Sequence, residues 1–291
     1  MALIQTNQLD LFIASAADVS PKNHQDLMAR CWFNLSKKKR TTPIEHNFKE
    51  NWVKITADEK YGIASIFDND VLIFAIAQLM AAVNDKRDTG RRIQFTGYEY
   101  LKFLGRKHLG GKAYKDIWSS LERLHHTFVE TNIRMGSSKR HHSFNWLSEI
   151  KQVEENGVHR GYEIVLPEWL YTSVVNDKMV LTLHPDYFTI KGGLERWLYL
   201  FARKSSGRQE YGWNENIKSI YEKSASTGTF SEFNRKLKKI LKNNNILGYD
   251  ISTIKWQRQL AINFTFTLGF TKENKTAKRR TNGAKQFRSI Q

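Results

Sequence analysis

Phe230-Ser-Glu-Phe-Asn-Arg-Lys-Leu-Lys-Lys-Ile-Leu-Lys-Asn243 reads as a helix with an apolar stripe of Phe233, Leu237, Ile240 and Leu241. At about 100° per residue, Ser231, Arg235, Lys238, Lys239 and Lys242 fall on the opposite, cationic side. Two alternating stretches follow, Leu247 to Ile254 and Leu260 to Leu268, in which Leu260, Ile262, Phe264, Phe266 and Leu268 recur at every second position. That is the period of a strand, so Lys255-Trp-Gln-Arg258 is expected to form a hairpin tip. Upstream, Gly111-Lys-Ala-Tyr-Lys-Asp-Ile-Trp-Ser-Ser-Leu-Glu-Arg-Leu-His-His126 has the same plan. Tyr114, Ile117, Trp118, Leu121 and Leu124 share its core face, and Lys112, Lys115, Ser119 and Arg123 point away. The strands expected after it, Phe128 to Ile133 and Phe144 to Val153, flank a tip containing Lys139 and Arg140.

A shorter helical segment precedes each basic helix. Thr96 and Glu99 form a capping-box signal for a helix through Leu104, and Asn214 to Lys223 reads as the second. Helix, turn, helix and hairpin therefore occur twice. The expected fold is α+β, two tandem winged-helix domains with flexible termini. The boundaries read from the sequence are a flexible tail over 1–29, a first domain over 30–176, a second over 177–270 and a basic tail over 271–291.

The apolar run Val71-Leu-Ile-Phe-Ala-Ile-Ala, with Leu79 to Val83 beyond it, is shorter than the roughly 18 residues of a membrane span and reads as a buried helix over about 69–84, capped by Asp68 or Asn69. Trp52 to Ile55, Arg91 to Phe95, Tyr162 to Leu166 and Met179 to Leu183 read as strands. Pro167 opens a short helix ending near Asn176, and Gly193 to Lys204 reads as a helix with Leu194, Trp197, Leu198 and Phe201 inward.

The chain has 46 Lys plus Arg against 29 Asp plus Glu, a formal charge of +17, with 40% hydrophobic residues including 8 Trp. It can bury real cores, which excludes a disordered basic protein, and the charge excess calls for a polyanionic partner, double-stranded DNA above all. A single cysteine, Cys31, excludes an internal disulfide framework and a multi-cysteine zinc site, and suggests a cytoplasmic protein. Arg reads guanine edges with two hydrogen bonds, whereas Lys meets phosphate as a point charge. Arg123 and Arg235 are thus the expected base contacts, with the lysines fixing register and salt-dependent affinity. Trp118, Trp197 and Phe233 are expected in cores rather than as base-stacking platforms.

Gln8-Leu9-Asp10-Leu11-Phe12 resembles the bacterial sliding-clamp-binding pentapeptide, in which Leu11 and Phe12 would anchor in an apolar pocket and Gln8 would supply a polar hook. The competing reading is a short strand or helix docked on the protein's own first domain.

Enzymatic readings fare poorly. In Gly105-Arg-Lys-His-Leu-Gly-Gly-Lys-Ala113 the spacing of a phosphate-binding loop puts Arg106 where glycine belongs, and Ala113 replaces the magnesium-binding hydroxyl. Adjacent histidines, His125-His126 and His141-His142, point in different directions and cannot alone make a metal site, so phosphate-facing or merely exposed roles are expected. Glu154-Glu155 has no partner identifiable from spacing. No catalytic residue, metal or cofactor is expected.

Phe67-Asp-Asn-Asp-Val-Leu-Ile-Phe-Ala-Ile-Ala-Gln-Leu79, Gly110-Gly-Lys-Ala-Tyr114, Leu181-Thr-Leu-His-Pro-Asp-Tyr-Phe188 and Gly192-Gly-Leu-Glu-Arg-Trp-Leu-Tyr199 resemble stretches of the replication initiator protein A family of bacterial plasmids. The resemblance covers roughly residues 40–270. It implies a non-enzymatic initiator that binds repeated origin sequences, called iterons, helps recruit host replication proteins and equilibrates between monomer and dimer. A winged-helix transcriptional repressor and a metal-dependent rolling-circle nickase are the alternatives.

Overall fold

The computed structural model describes residues 11–14, 19–48, 50–106, 110–132, 142–209, 211–244 and 246–267. In chain order the first half contains β1 (Leu11–Ile13), β2 (Lys22–His24), α1 (Asp26–Ala29), β3 (Ile44–Phe48), β4 (Asn51–Ala57), α2 (Asn69–Asn84), β5 (Arg92–Phe95), α3 (Gly97–Phe103), α4 (Gly111–His125), β6 (Thr127–Thr131), β7 (His142–Asn145), β8 (Glu149–Glu155), β9 (Val158–Val165) and α5 (Glu168–Val175). The second half contains β10 (Val180–Thr182), a 3-10 turn (Pro185–Thr189), α6 (Gly193–Ser205), β11 (Trp213–Asn216), α7 (Ile217–Ser224), α8 (Phe230–Asn243), β12 (Tyr249–Trp256) and β13 (Gln259–Phe266). The fold is α+β, and no helix among the described residues is long and apolar enough to cross a membrane.

An internal repeat organises these elements. Helix, strand, two helices and a hairpin occur as α2, β5, α3, α4, β8–β9 and again as α6, β11, α7, α8, β12–β13. In both copies the strand before the helix pair lies beside the second strand of the hairpin, giving sheet orders β1-β5-β9-β8 and β11-β13-β12. The first copy carries an insertion, β6–β7, which joins β3–β4 in a separate sheet of order β3-β4-β6-β7.

Local chemistry sets the boundaries. Thr96 and Glu99 cap α3 reciprocally, the Thr96 N–H donating to the Glu99 carboxylate at 2.8 Å and the Glu99 N–H to the Thr96 hydroxyl at 3.2 Å. Both hairpins close through turns in the left-handed region, at Asn156 and Gly157 (φ 53° and 73°) and at Gln257 and Arg258 (φ 49° and 63°). Turns of that hand match the twist of the paired strands. Gly97 lets α3 approach α4, since a Cβ there would lie 2.5 Å from the Tyr114 ring.

The structure corrects four expectations. Residues 11–14 and 19–29 are not a flexible tail. β1 pairs in parallel with β5, β2 pairs antiparallel with β10, and Phe12, Leu27 and Met28 are buried. These elements are too short to show periodicity, and partners distant in sequence hold them. Nor are 30–176 and 177–270 separate cores, because one buried apolar cluster runs from Phe12 through Phe74, Trp146 and Trp197 to Phe264. Residues 144–153 do not form one strand, because Trp146 and Leu147 are buried and the chain there crosses from the sheet of β7 to that of β8. Finally, the helix expected from Asn214 starts at Ile217, after β11, with the Asn216 side chain accepting the Lys218 N–H at 2.8 Å. The 136–140 tip and the 271–291 tail lie outside the described residues.

A buried ion pair joins the halves. The Arg196 Nη1 of α6 lies 2.7 and 2.8 Å from the two carboxylate oxygens of Asp70 in α2. The same guanidinium donates to the Ile190 and Phe188 carbonyls at 2.9 and 3.2 Å and lies over the Phe67 and Tyr187 rings.

Burial pushes the Asp70 carboxyl up to about 6, against the pull of Arg196. A carboxyl whose folded pKa exceeds its unfolded value, about 3.9, holds its proton more tightly when folded, so its contribution to stability falls as pH rises through that window. Arg196→Met removes the cation, lifts the folded pKa further and extends the decline to higher pH. The variant is expected to lose about 3–5 kcal/mol near pH 8 and distinctly less near pH 5, as read from urea midpoints. An equal deficit at both pH values contradicts this account.

Candidate nucleic-acid interface

Helix α8 sits on Phe233, Leu237 and Ile240, all buried. Its first turn is closed by a capping box. The Thr229 N–H donates to the Glu232 carboxylate at 2.8 Å and the Glu232 N–H to the Thr229 hydroxyl at 3.3 Å, which holds the Glu232 carboxyl below its ordinary range. The turn from α7 is fixed by the Tyr221 hydroxyl donating to the Gly228 carbonyl at 2.9 Å. With the apolar stripe anchored, Ser231, Arg235, Lys238, Lys239 and Lys242 are all exposed, as helical phase requires, and so is Lys236. Among the described residues none of the five cations has a hydrogen-bond or ion-pair partner. Lys255 and Arg258, at the end of the β12–β13 hairpin, are likewise exposed.

The equivalent helix of the first copy differs. Lys112 and Lys115 of α4 are exposed, but Arg123 turns inward. Its Nε and Nη2 donate to the two Asp68 carboxylate oxygens at 2.9 and 2.7 Å, and that bond raises the already high Arg123 pKa. The expectation that Arg123 contacts bases is therefore corrected, because its planar fork is already engaged with a buried carboxylate. Ser119 is half-buried and lines an open cleft of about 420 Å³ between α4 and the β8–β9 hairpin, together with Tyr114, Lys115, Trp118, Gln152, His159 and Tyr162. Trp118 is accordingly half-buried, stacked near Tyr162, whereas Trp197 and Phe233 are core residues as expected. The β8–β9 tip carries exposed Glu154 and Glu155, and Arg160 is paired with Glu155 at 3.0 Å.

Other candidates also change meaning. His125 Nδ1 lies 2.9 Å from the Leu147 carbonyl oxygen, and His126 stacks on Tyr61 with ring centroids 4.0 Å apart. These two histidines pin the end of α4 rather than face phosphate. No group of three or more His, Cys, Asp and Glu among the described residues is placed to hold a metal ion. Burial pushes the Cys31 thiol up to about 12, leaving it inert at neutral pH. Gln8, Leu9 and Asp10, like Lys139 and Arg140, lie outside the described residues. Leu11 and Phe12 lie in β1, with Leu11 49% exposed and Phe12 5% exposed.

Helical phase did not reveal Asn244, which follows α8 in the left-handed region (φ 42°). Its Nδ2 donates to the Asp250 carboxylate at 3.0 Å, and its Oδ1 accepts the Ile251 N–H at 3.1 Å. The end of α8 is thereby tied to the start of β12. An Asn just past a basic helix is the sequence signal for such a cap.

The family model described as Replication initiator protein A matches residues 22–251. The chain belongs to this family. It is 34% identical over 204 residues to a protein of Wigglesworthia glossinidia brevipalpis named "Putative replication protein", covering 68% of this chain and 72% of that one. The fold is similar to domains 2 and 3 of RctB in two crystal structures. The first has a TM-score of 0.59 at 14% identity, covering 84% of this chain and 99% of that one. The second has a TM-score of 0.51 at 14% identity, covering 81% and 95%. This replication initiator therefore keeps its helix pairs on a fold shared with proteins of very different sequence.

Arg123→Ala is expected to cost about 1–3 kcal/mol by leaving the buried Asp68 carboxylate without its cation, and to leave duplex affinity of the folded protein unchanged. Thermal melts and binding titrations on the same sample check both halves. A large affinity loss with unchanged melting temperature returns Arg123 to the interface.

Proposed function

We propose that this initiator acts by binding double-stranded origin repeats, that both repeated units are winged-helix modules, and that the second supplies most of the affinity. The observation that carries the reading is the α8 face, where Arg235, Lys238, Lys239 and Lys242 are exposed and unpaired among the described residues. A helix of about 10–12 Å diameter fits the major groove, about 12 Å wide. Arg235 then reads a base edge while the lysines meet phosphates on either side. The first module, whose exposed Lys112 and Lys115 share their helix with exposed Asp116 and whose hairpin tip carries exposed Glu154 and Glu155, contributes weaker contacts. Several copies on adjacent repeats would stress a neighbouring A·T-rich segment and bring in host replication proteins, with no catalytic step by this chain.

The segment Gln8 to Phe12 is proposed as the contact for the bacterial sliding clamp. Because Phe12 is buried against the protein's own sheet, that contact requires β1 to leave β5. The informative substitution is therefore at Leu11, which is half-exposed. Leu11→Ala should abolish clamp pull-down and leave duplex binding intact; an unchanged pull-down refutes the assignment.

Phosphate contacts set the salt dependence of binding, with a slope of about 0.9 per neutralised phosphate in log K against log salt. Replacing Lys238, Lys239 and Lys242 together by Ala should flatten the slope by about that amount per lysine. Arg235→Ala should cost about 1–3 kcal/mol and relax preference at one base position. Anisotropy titrations at several salt concentrations measure both. A triple-lysine variant with the wild-type slope overturns the placement of α8 on the duplex.

A further inference from the structure

The cationic side of α8 also carries the helix's one carboxylate. At about 100° per residue, Glu232 shares that side with Arg235, Lys236 and Lys239, three, four and seven positions on, and all four are exposed. A carboxylate so placed is repelled by every phosphate and lowers affinity for duplex of any sequence. The equivalent helix α4 has no acidic residue in its first turn.

Helix capping uses only half of the group. Glu232 Oε2 accepts from the Thr229 N–H at 2.8 Å and from the Thr229 hydroxyl at 3.2 Å. Gly228 leaves room for that oxygen, since a Cβ there would lie 2.8 Å from it. Oε1 has no hydrogen-bond or ion-pair partner among the described residues. The cap holds the carboxyl below its ordinary range, so at neutral pH it is ionised and can only accept.

Its place in the helix decides what it meets. The N-terminal residues of a recognition helix are the ones that reach base edges. In the major groove the donors on those edges are the exocyclic amines of cytosine and adenine, whereas guanine and thymine offer only acceptors. We infer that Glu232 Oε1 accepts from such an amine, cytosine N4 or adenine N6, beside the edge read by Arg235, and that Glu232 sets specificity by weakening every duplex that lacks it. The inference rests on the proposed duplex binding through α8.

A duplex selected from a random pool by the full chain supplies the probe. Pyrimidin-2-one in place of a cytosine, or purine in place of an adenine, one position at a time, deletes the amine alone. Wild-type affinity should fall about tenfold at one such position, and the base that responds tells which amine is read. Glu232→Gln keeps the capping box, so its amide oxygen stays with Thr229 and its NH2 replaces Oε1. That variant should melt like the wild type and bind unselected duplex about threefold more tightly, through loss of the repelling charge. At the same position it should prefer thymine or guanine to the amine-bearing base. Amine deletion without effect at every position, or Glu232→Gln with the wild-type base preference, overturns the inference while leaving duplex binding standing. Selection yielding no bound duplex overturns the proposed function itself.

Discussion

The start of α2 carries two buried carboxylates, Asp68 at the N-cap and Asp70 in the first turn, and the rest of the structure is hung from them. Asp68 engages Arg123 of α4, and Asp70 engages Arg196 of α6. One turn of helix thus fixes both the long helix of the first repeat and the leading helix of the second. Charges this deeply buried persist only when paired and hydrogen-bonded. The Asp68 carboxylate also accepts from the Ser65 N–H and hydroxyl at 2.7 and 2.9 Å, and the Arg196 guanidinium uses two further carbonyls. Both pairs thus tie helices α4 and α6 to the same end of α2.

That constraint explains why two copies of one plan present unlike surfaces. In the second, α8 is held by Phe233, Leu237 and Ile240 and by bonds at its two ends, none of which uses its cations among the described residues. In the first, α4 is held by charge as well as by Ile117, Leu121 and Leu124, and the arginine best suited to reading a base edge is the one that holds it. The end of β7 and the turn after it take up the C-terminal end of α4, Asn145 donating to the His125 carbonyl and the His125 ring bonding to the Leu147 carbonyl. The first repeat is built into the scaffold, and the second is displayed on it.

Much of this was legible in the chain, and the misses share a cause. The capping box at Thr96 and Glu99, the all-round apolar α2 and the amphipathic α8 are local patterns, and each forms as read, except that the expected cap of α2 is absent because the Asp68 carboxylate accepts from Ser65 and Arg123 instead. Helical phase also placed Arg123 correctly on the side away from Leu121 and Leu124. What phase cannot say is which distant segment covers that side, and Asp68 lies far upstream. The same limit hid β2 and α1, whose three or four residues show no period and whose partners are Val180 to Thr182 and α6, whereas β1, paired with Arg92 to Gln94, is the short docked strand that competed with the clamp reading. The β8–β9 hairpin went unread although Asn156-Gly157 is the favoured pair for a left-handed two-residue turn, and the strands expected to form the first wing, β6 and β7, lie instead in the sheet with β3 and β4. The stretch from Phe144 to Val153 looked continuous because the sheet change at Trp146 and Leu147 keeps apolar residues in the run.

The N-terminal segment connects these pieces by threading between the repeats. β1 lies on the sheet of the first, β2 pairs with β10 and packs against α2, α1 lies against α6 of the second, the Cys31 N–H donates to the Lys223 carbonyl at 2.9 Å, and Arg40 Nη1 donates to the Ala225 carbonyl at the same distance. Its hold is graded along its length. Leu27, Met28 and Trp32 are fully enclosed, whereas β1 contributes a single buried ring, Phe12, between exposed Leu11 and Ile13. Burying one such side chain is worth about 1.5–3 kcal/mol, a modest barrier to release. The enclosed residues beyond β1, rather than β1 itself, therefore carry most of the apolar burial of this segment.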